Sequence, residues 1–192
     1  MQLGGYTRNV RDALAHLNAA DPASAETFHR RNLLRTGLTD SAGDTGQVAL
    51  ATGVMTSVPI YLRQGDVITN LSVRSGATAA TTPTAYWLAL YDESSALLAQ
   101  TADQTSTAWA ANTTKTLALA APYTVLRTGI YWVGIMVTAG AVPSLLGTIG
   151  APAIVTGERN LSQSSGAGLT TTAPATIATP TAKQFIPYVV AT

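Results

Sequence analysis

Hydrolytic and transfer chemistry needs a positioned base, an activated nucleophile or a metal, so the residues able to supply these come first. The 192-residue chain holds two histidines, His16 and His29, ten acids and no cysteine. Without Cys there are no disulfides, thiolate metal sites or cysteine nucleophiles. Neither histidine has a partner at the i, i+4 spacing of a helical zinc site. Both read as surface or interface residues of an N-terminal helical segment set apart from the rest. Asp92-Glu93 is the only adjacent pair of acids, the sort of pair glycoside hydrolysis would need. Followed by Ser94-Ser95, it reads instead as a hairpin turn. Asp40 and Asp44 flank Gly43 without the ligand spacing of a calcium loop, and read as a solvated linker. No phosphate-binding loop, dinucleotide fingerprint or nucleophile elbow is present. The expectation is a protein that is not an enzyme, with no catalytic, cofactor or metal site.

Binding chemistry has better material. Tyr86, Trp87, Tyr91, Trp109, Tyr131 and Trp132 could stack on sugar rings. Neighbours in a strand point to opposite faces, so one of Tyr86/Trp87 and one of Tyr131/Trp132 is expected in the core. Trp109, inside the polar run 105–114, is the best candidate for an exposed, glycan-facing aromatic, with Tyr91 as a second. Arg30, Arg31 and Arg35, together with Phe28, are candidates for anchoring to a particle or subunit. No aromatic interleaving or recognition-helix pattern accompanies those arginines, so nucleic acid is not the expected partner.

The elements that must hold these residues read as β. Apolar residues make up 46% of the chain and charged ones 11%, too apolar and too weakly charged for a disordered chain. A formal charge of +1 gives no general attraction to a polyanion. Thr and Val, branched at Cβ, favour the pleated surface. Val67, Thr69, Leu71 and Val73 alternate with Ile68, Asn70, Ser72 and Arg74, as in a half-buried strand. Residues 86–91 and 130–137 are apolar on both faces, as in central strands or strands facing a neighbour. Weaker strands are expected at 48–50, 58–62, 96–100, 115–119 and 185–190. Pro187 confines the last to an edge or bulge. No charge falls between Arg127 and Glu158, but Gly134, Gly140, Pro143, Gly147, Gly150 and Pro152 break that stretch into strands and turns. A membrane-spanning helix is not expected. The spacing predicts an antiparallel β-sandwich, jelly-roll-like.

Before residue 46 the pattern differs. Asn9 could cap a short helix with Val10, Leu14 and Leu17 on one face. Asp21-Pro22 signals a second start, with Ala25, Phe28 and Asn32 on its face and Gly37 as stop. The start, Met1–Tyr6, lacks the layout of a signal peptide. The expected organisation is a short helical or extended N-terminal anchoring arm and linker over 1–46, then a sandwich over 47–192. Residues 160–182, almost all Ser, Thr, Ala, Gly and Pro, are expected as a mobile loop or a segment laid against a partner.

Three stretches carry a resemblance: Arg30-Arg-Asn-Leu-Leu-Arg35; Val58-Pro-Ile-Tyr-Leu-Arg-Gln-Gly-Asp-Val-Ile68; and the pair Tyr86-Trp-Leu-Ala-Leu-Tyr91 with Gly129-Ile-Tyr-Trp-Val-Gly134. Over about residues 25–145 the chain resembles, in style and without a diagnostic motif, the jelly-roll virion proteins of tailed bacteriophages, particularly those of actinobacteria. The resemblance implies a non-enzymatic minor tail, fibre or capsid-decoration protein on the particle exterior. It implies a homo-oligomer, often a trimer, that docks on other virion proteins by its N-terminal arm and turns the sandwich outward, toward host-surface glycans. The alternative is a carbohydrate-binding module of a secreted or surface protein.

Overall fold

The structure, a computed structural model, describes residues 28–33, 47–152, 154–155 and 161–192. Twelve strands follow in order: β1 Gln47–Ala49, β2 Met55–Leu62, β3 Val67–Arg74, β4 Thr81–Tyr91, β5 Leu97–Gln100, β6 Thr114–Thr124, β7 Gly129–Ala141, β8 Ser144–Ile149, β9 Gln163–Ser165, β10 Thr181–Ala182, β11 Phe185–Pro187 and β12 Val189–Ala191. One layer has the order β10-β9-β2-β7-β4-β5 and the facing one β12-β3-β6, with β1-β8-β11 as a small third sheet. Every pair of strands is antiparallel. The chain passes between the two main layers at β2–β3, β3–β4, β5–β6 and β6–β7, while β4–β5 and β9–β10 are consecutive strands paired within a layer. That winding is a jelly roll, and the expected mainly-β antiparallel sandwich is the observed one.

Residues 28–33 complete the β12 layer. Arg31 bridges antiparallel to Val190, and His29 bridges parallel to Tyr61 at the end of β2. The segment therefore touches both layers at one edge. The expected helix through Phe28 and Asn32 is not formed here: Arg30 sits at φ 61°, and the backbone donates to Tyr61 and Val189 across the seam. Pairing with two strand edges satisfies more buried backbone than one amphipathic turn could. The earlier helix, the linker 40–46, His16 and Arg35 lie outside the described residues.

The sheet β2-β7-β4 is buried on both faces. Inward, Val58, Ile60, Tyr86, Leu88, Val133 and Ile135 meet Ile68, Leu71, Val73 and Val189 of the second layer. Outward, Met55, Trp87, Tyr91 and Met136 meet Leu169, Ala173 and Ile177. A Cβ on Gly134 of β7 would lie 2.6 Å from the Met55 sulfur, so that glycine is what lets Met55 and Tyr91 close over the strand. The Ser/Thr/Ala-rich stretch is thus neither free nor waiting for a partner: it straps the outer face of its own sheet. Both faces that invited a covering neighbour are covered within the chain.

Two further expectations need correction. β3 changes phase at a bulge between Ile68 and Asn70, so Ile68 is buried and Val67 is 47% exposed. The final strand breaks at Tyr188. Its first half, β11, pairs with β8 at a sheet edge, as Pro187 required, while its second half, β12, crosses to β3.

Candidate binding cleft and the N-terminal seam

The two aromatics expected to face a glycan do not. Tyr91 and Trp109 are both buried, at 0% and 2% exposure. Trp109 folds back from the β5–β6 connection onto Tyr86, ring centroids 5.3 Å apart, and the backbone N–H of Ala80 donates to its carbonyl. The polar run around it hid a core residue, because the large apolar ring dominates its own placement. Tyr91 donates its hydroxyl to the Pro174 carbonyl of the strap at 3.0 Å. Burial pushes its phenol well above the ordinary value. Tyr86 and Trp87 are both core, on opposite faces, because both faces are closed. Tyr131 is buried inward and Trp132 half-buried on the outer face, paired with Pro59.

The anchoring candidates meet at a seam. The Asp66 carboxylate, in the β2–β3 turn, accepts from the Arg30 guanidinium at 3.0 Å and contacts His29 Nε2 at 2.6 Å. It also accepts from the backbone N–H of Arg63 at 2.8 Å. Burial alone would raise its pKa. The Arg63 amide, His29 and Arg30 outweigh that and hold it at about 2. His29 is therefore not remote from the β-domain. Beside it, Asn32 is buried; its amide donates to the Pro187 carbonyl at 2.6 Å and its oxygen accepts from the Val189 N–H at 2.8 Å. Leu33 enters the main core, and Phe28 is half-buried. Arg30 and Arg31 thus serve the fold of their own chain. Nothing in the sequence linked Asp66 to residues 37 positions away, although Gln64-Gly65-Asp66 was legible as a turn.

One open end of the sandwich carries a cleft of about 450 Å³ between the β4–β5 and β6–β7 turns. Its floor holds Tyr123 and Tyr131, ring centroids 6.5 Å apart and tilted by 59°. Leu98, Leu126 and Ile130 form apolar walls, and Asp92, Glu93 and Arg127 stand at the rim. The rim is held from below. Asp92 accepts at one carboxylate oxygen from Ser94 Oγ at 2.7 Å and from the Ala96 N–H at 2.8 Å. Slight burial would raise the Asp92 pKa; these donors lower it. Opposite, Tyr131 donates its hydroxyl to the Arg127 carbonyl at 2.9 Å, and the Thr128 hydroxyl accepts from Gln64 N–H. Tyr123 is raised by burial, then by neighbouring Tyr131 and Asp92. The side chains of Glu93 and Arg127 make no ion pair or hydrogen bond with any described residue. Asp92-Glu93 is thus a hairpin turn, as expected, but one that forms the lip of a cleft. Tyr123 and Arg127, which complete it, carried no signal in the sequence.

Among the described residues no group of three His, Cys, Asp or Glu side chains could hold a metal. Among them, too, no helix is long and apolar enough to cross a membrane. No protein-family model matches the chain, and no curated protein matches its sequence.

Proposed function

We propose that this chain is a non-enzymatic virion structural protein of the minor tail, fibre or capsid-decoration type, holding a jelly-roll sandwich outward from its N-terminal side. The observation that carries the reading is the seam. Residues 28–33 are bridged to both layers and locked by Asp66 and Asn32, so Phe28 is held at a fixed place on the domain. Tension or docking load on that side would be borne by paired backbone rather than by a loose tether. Both faces of the β2-β7-β4 sheet are closed, which leaves the ends, the edges and the outer side of β3-β6 for contact. Ile149, 47% exposed at the end of β8, lines a groove of about 690 Å³ with Val48, Leu50 and Phe185. Apolar surface of that kind favours burial on another copy or another virion protein.

Antibody raised against the purified chain is expected to decorate intact particles of the virus that encodes it, and washed particles should contain the chain by mass spectrometry. Its absence from washed particles would overturn the reading. Light scattering over a concentration series is expected to give a homo-oligomer, a trimer in the simplest arrangement.

The second reading, a carbohydrate-binding module, is favoured by one observation, the aromatic-floored end cleft with its unpaired rim charges. The two readings are compatible, since a displayed domain repeated on a particle turns weak sugar contacts into avidity.

A further inference from the structure

We infer that the end cleft is a subsite for a single uncharged pyranose, held by Tyr123 beneath and by Glu93 and Arg127 at the rim. This rests on the carbohydrate-binding reading and gives it a location and a ligand class.

Three observations lead there. First, the cleft pairs an aromatic and aliphatic floor with a polar rim, which suits a ligand that has an apolar C–H face and a polar edge. A pyranose ring is such a ligand, and about 450 Å³ accommodates one with its first aglycone atoms. Second, the rim offers a carboxylate and a guanidinium that are not paired with each other or with any described residue. Adjacent hydroxyls of a sugar satisfy both at once, one donating to Glu93 and the next accepting from Arg127. A simple anion would meet two carboxylates for one guanidinium, and a simple cation would face Arg127, so neither charge is favoured. Third, the rim is built before any ligand arrives. Asp92 fixes the β4–β5 turn through Ser94 and Ala96, and Tyr131 and Gln64 fix the opposite one through Arg127 and Thr128. Preorganised turns reduce the ordering cost that weakens small-ligand sites.

The test is titration of the full chain, isotopically labelled, with methyl α-D-glucopyranoside, methyl α-D-galactopyranoside and methyl α-D-mannopyranoside, followed by backbone amide NMR. Glucosamine and glucuronate serve as charged counterparts. Saturable shifts clustered at 92–94 and 123–131 are expected for at least one neutral glycoside. Arg127→Ala and Tyr123→Ala should each weaken that binding by at least about tenfold. Arg127 lies on an exposed turn, so its variant keeps the fold, with melting temperature as the check. Binding of a charged counterpart without any neutral glycoside would overturn the ligand class. Saturable glycoside binding with shifts at Tyr61 and Trp132 instead would overturn the cleft and leave the carbohydrate reading standing. If no glycoside binds, the subsite and that reading both fall.

Discussion

Both faces of the β2-β7-β4 sheet are buried, yet they are closed by different means. The inner face meets a second sheet, whose own backbone is satisfied by ladders within β12-β3-β6. The outer face meets a strap, residues 166–180 between β9 and β10, whose only strand bridge runs from Thr176 to Ala96 at the edge of β5. Its backbone is satisfied by the side chains and loops it covers. Trp87 Nε1 donates to the Thr170 carbonyl at 2.7 Å, Tyr91 to Pro174, and Thr138 Oγ1 to Leu169 at 2.9 Å. Gln100 reaches up to donate to the Thr171 carbonyl and accept from the Ala173 N–H. A low-complexity segment can therefore close a core when the sheet beneath supplies donors and the strap supplies two or three anchors, here Leu169, Ala173 and Ile177.

If that equivalence holds, the largest losses should be the same on either face. Trp87→Ala under the strap removes a fully buried ring and orphans the Thr170 carbonyl, with an expected cost of about 3–5 kcal/mol in urea unfolding. Leu71→Ala on the inner side should fall at about 2–5 kcal/mol. A Trp87→Ala cost below about 1 kcal/mol would show that the strap lies on the sheet without closing a core.

The seam is the third closure, and it depends on polar groups. Asn32→Ala leaves the Val189 N–H and the Pro187 carbonyl without their partner in a buried place. The expected cost is about 1–3 kcal/mol. A chain beginning at residue 28 should keep the stability of the full one, whereas a chain beginning at residue 34, without Leu33 and Asn32, should lose cooperativity in thermal unfolding. Equal stability of the two truncations would reduce 28–33 to an attached tail.

Those contrasts also mark what was legible in the sequence. Strand content, the hairpin at Asp92–Ser95 and the edge position of Pro187 followed from period, turn chemistry and the missing proline N–H. What failed did so for local reasons. The bulge after Ile68 reversed the strand's phase, which alternation by itself cannot report. The polar neighbours of Trp109 mislead, since a large ring rarely stays exposed without a ligand. The mean composition of the strap hides Leu169 and Ile177. One signal was available: buried Trp and Tyr heads need acceptors, and Trp87 and Tyr91 found theirs in the strap's carbonyls. The seam and the end cleft join residues tens of positions apart, and no spacing rule brings Asp66 to His29 or Arg127 to Glu93.

Asp66 allows the seam to be separated from the strap by pH, since the strap's clasps carry no ionisable carboxylate. Its folded pKa, about 2 against an ordinary 3.8, is depressed. Its stabilisation is therefore fully present above about pH 4 and lost as pH falls through about 2, amounting to about 2 kcal/mol. Asp66→Asn should lower stability by about that much at neutral pH. It should also flatten the pH dependence between about 2 and 4, measured by urea unfolding at each pH. An unchanged acid limb in the variant would assign the dependence to other carboxylates.

The smallest effect is expected at the clasp of the strap. Gln100 is only half-buried, and its two bonds to 171 and 173 compete with water. Gln100→Ala should therefore cost only about 0.5–1.5 kcal/mol globally. Locally the consequence is larger, because the strap has few ladder bonds to share the load and opens as its own unit. Hydrogen exchange at 169–177 should quicken in Gln100→Ala while the amides of β3 and β7 keep their rates. If both sets quicken together, the strap and the sandwich unfold as one, and the two faces of the sheet are closed not only to the same degree but by a single cooperative structure.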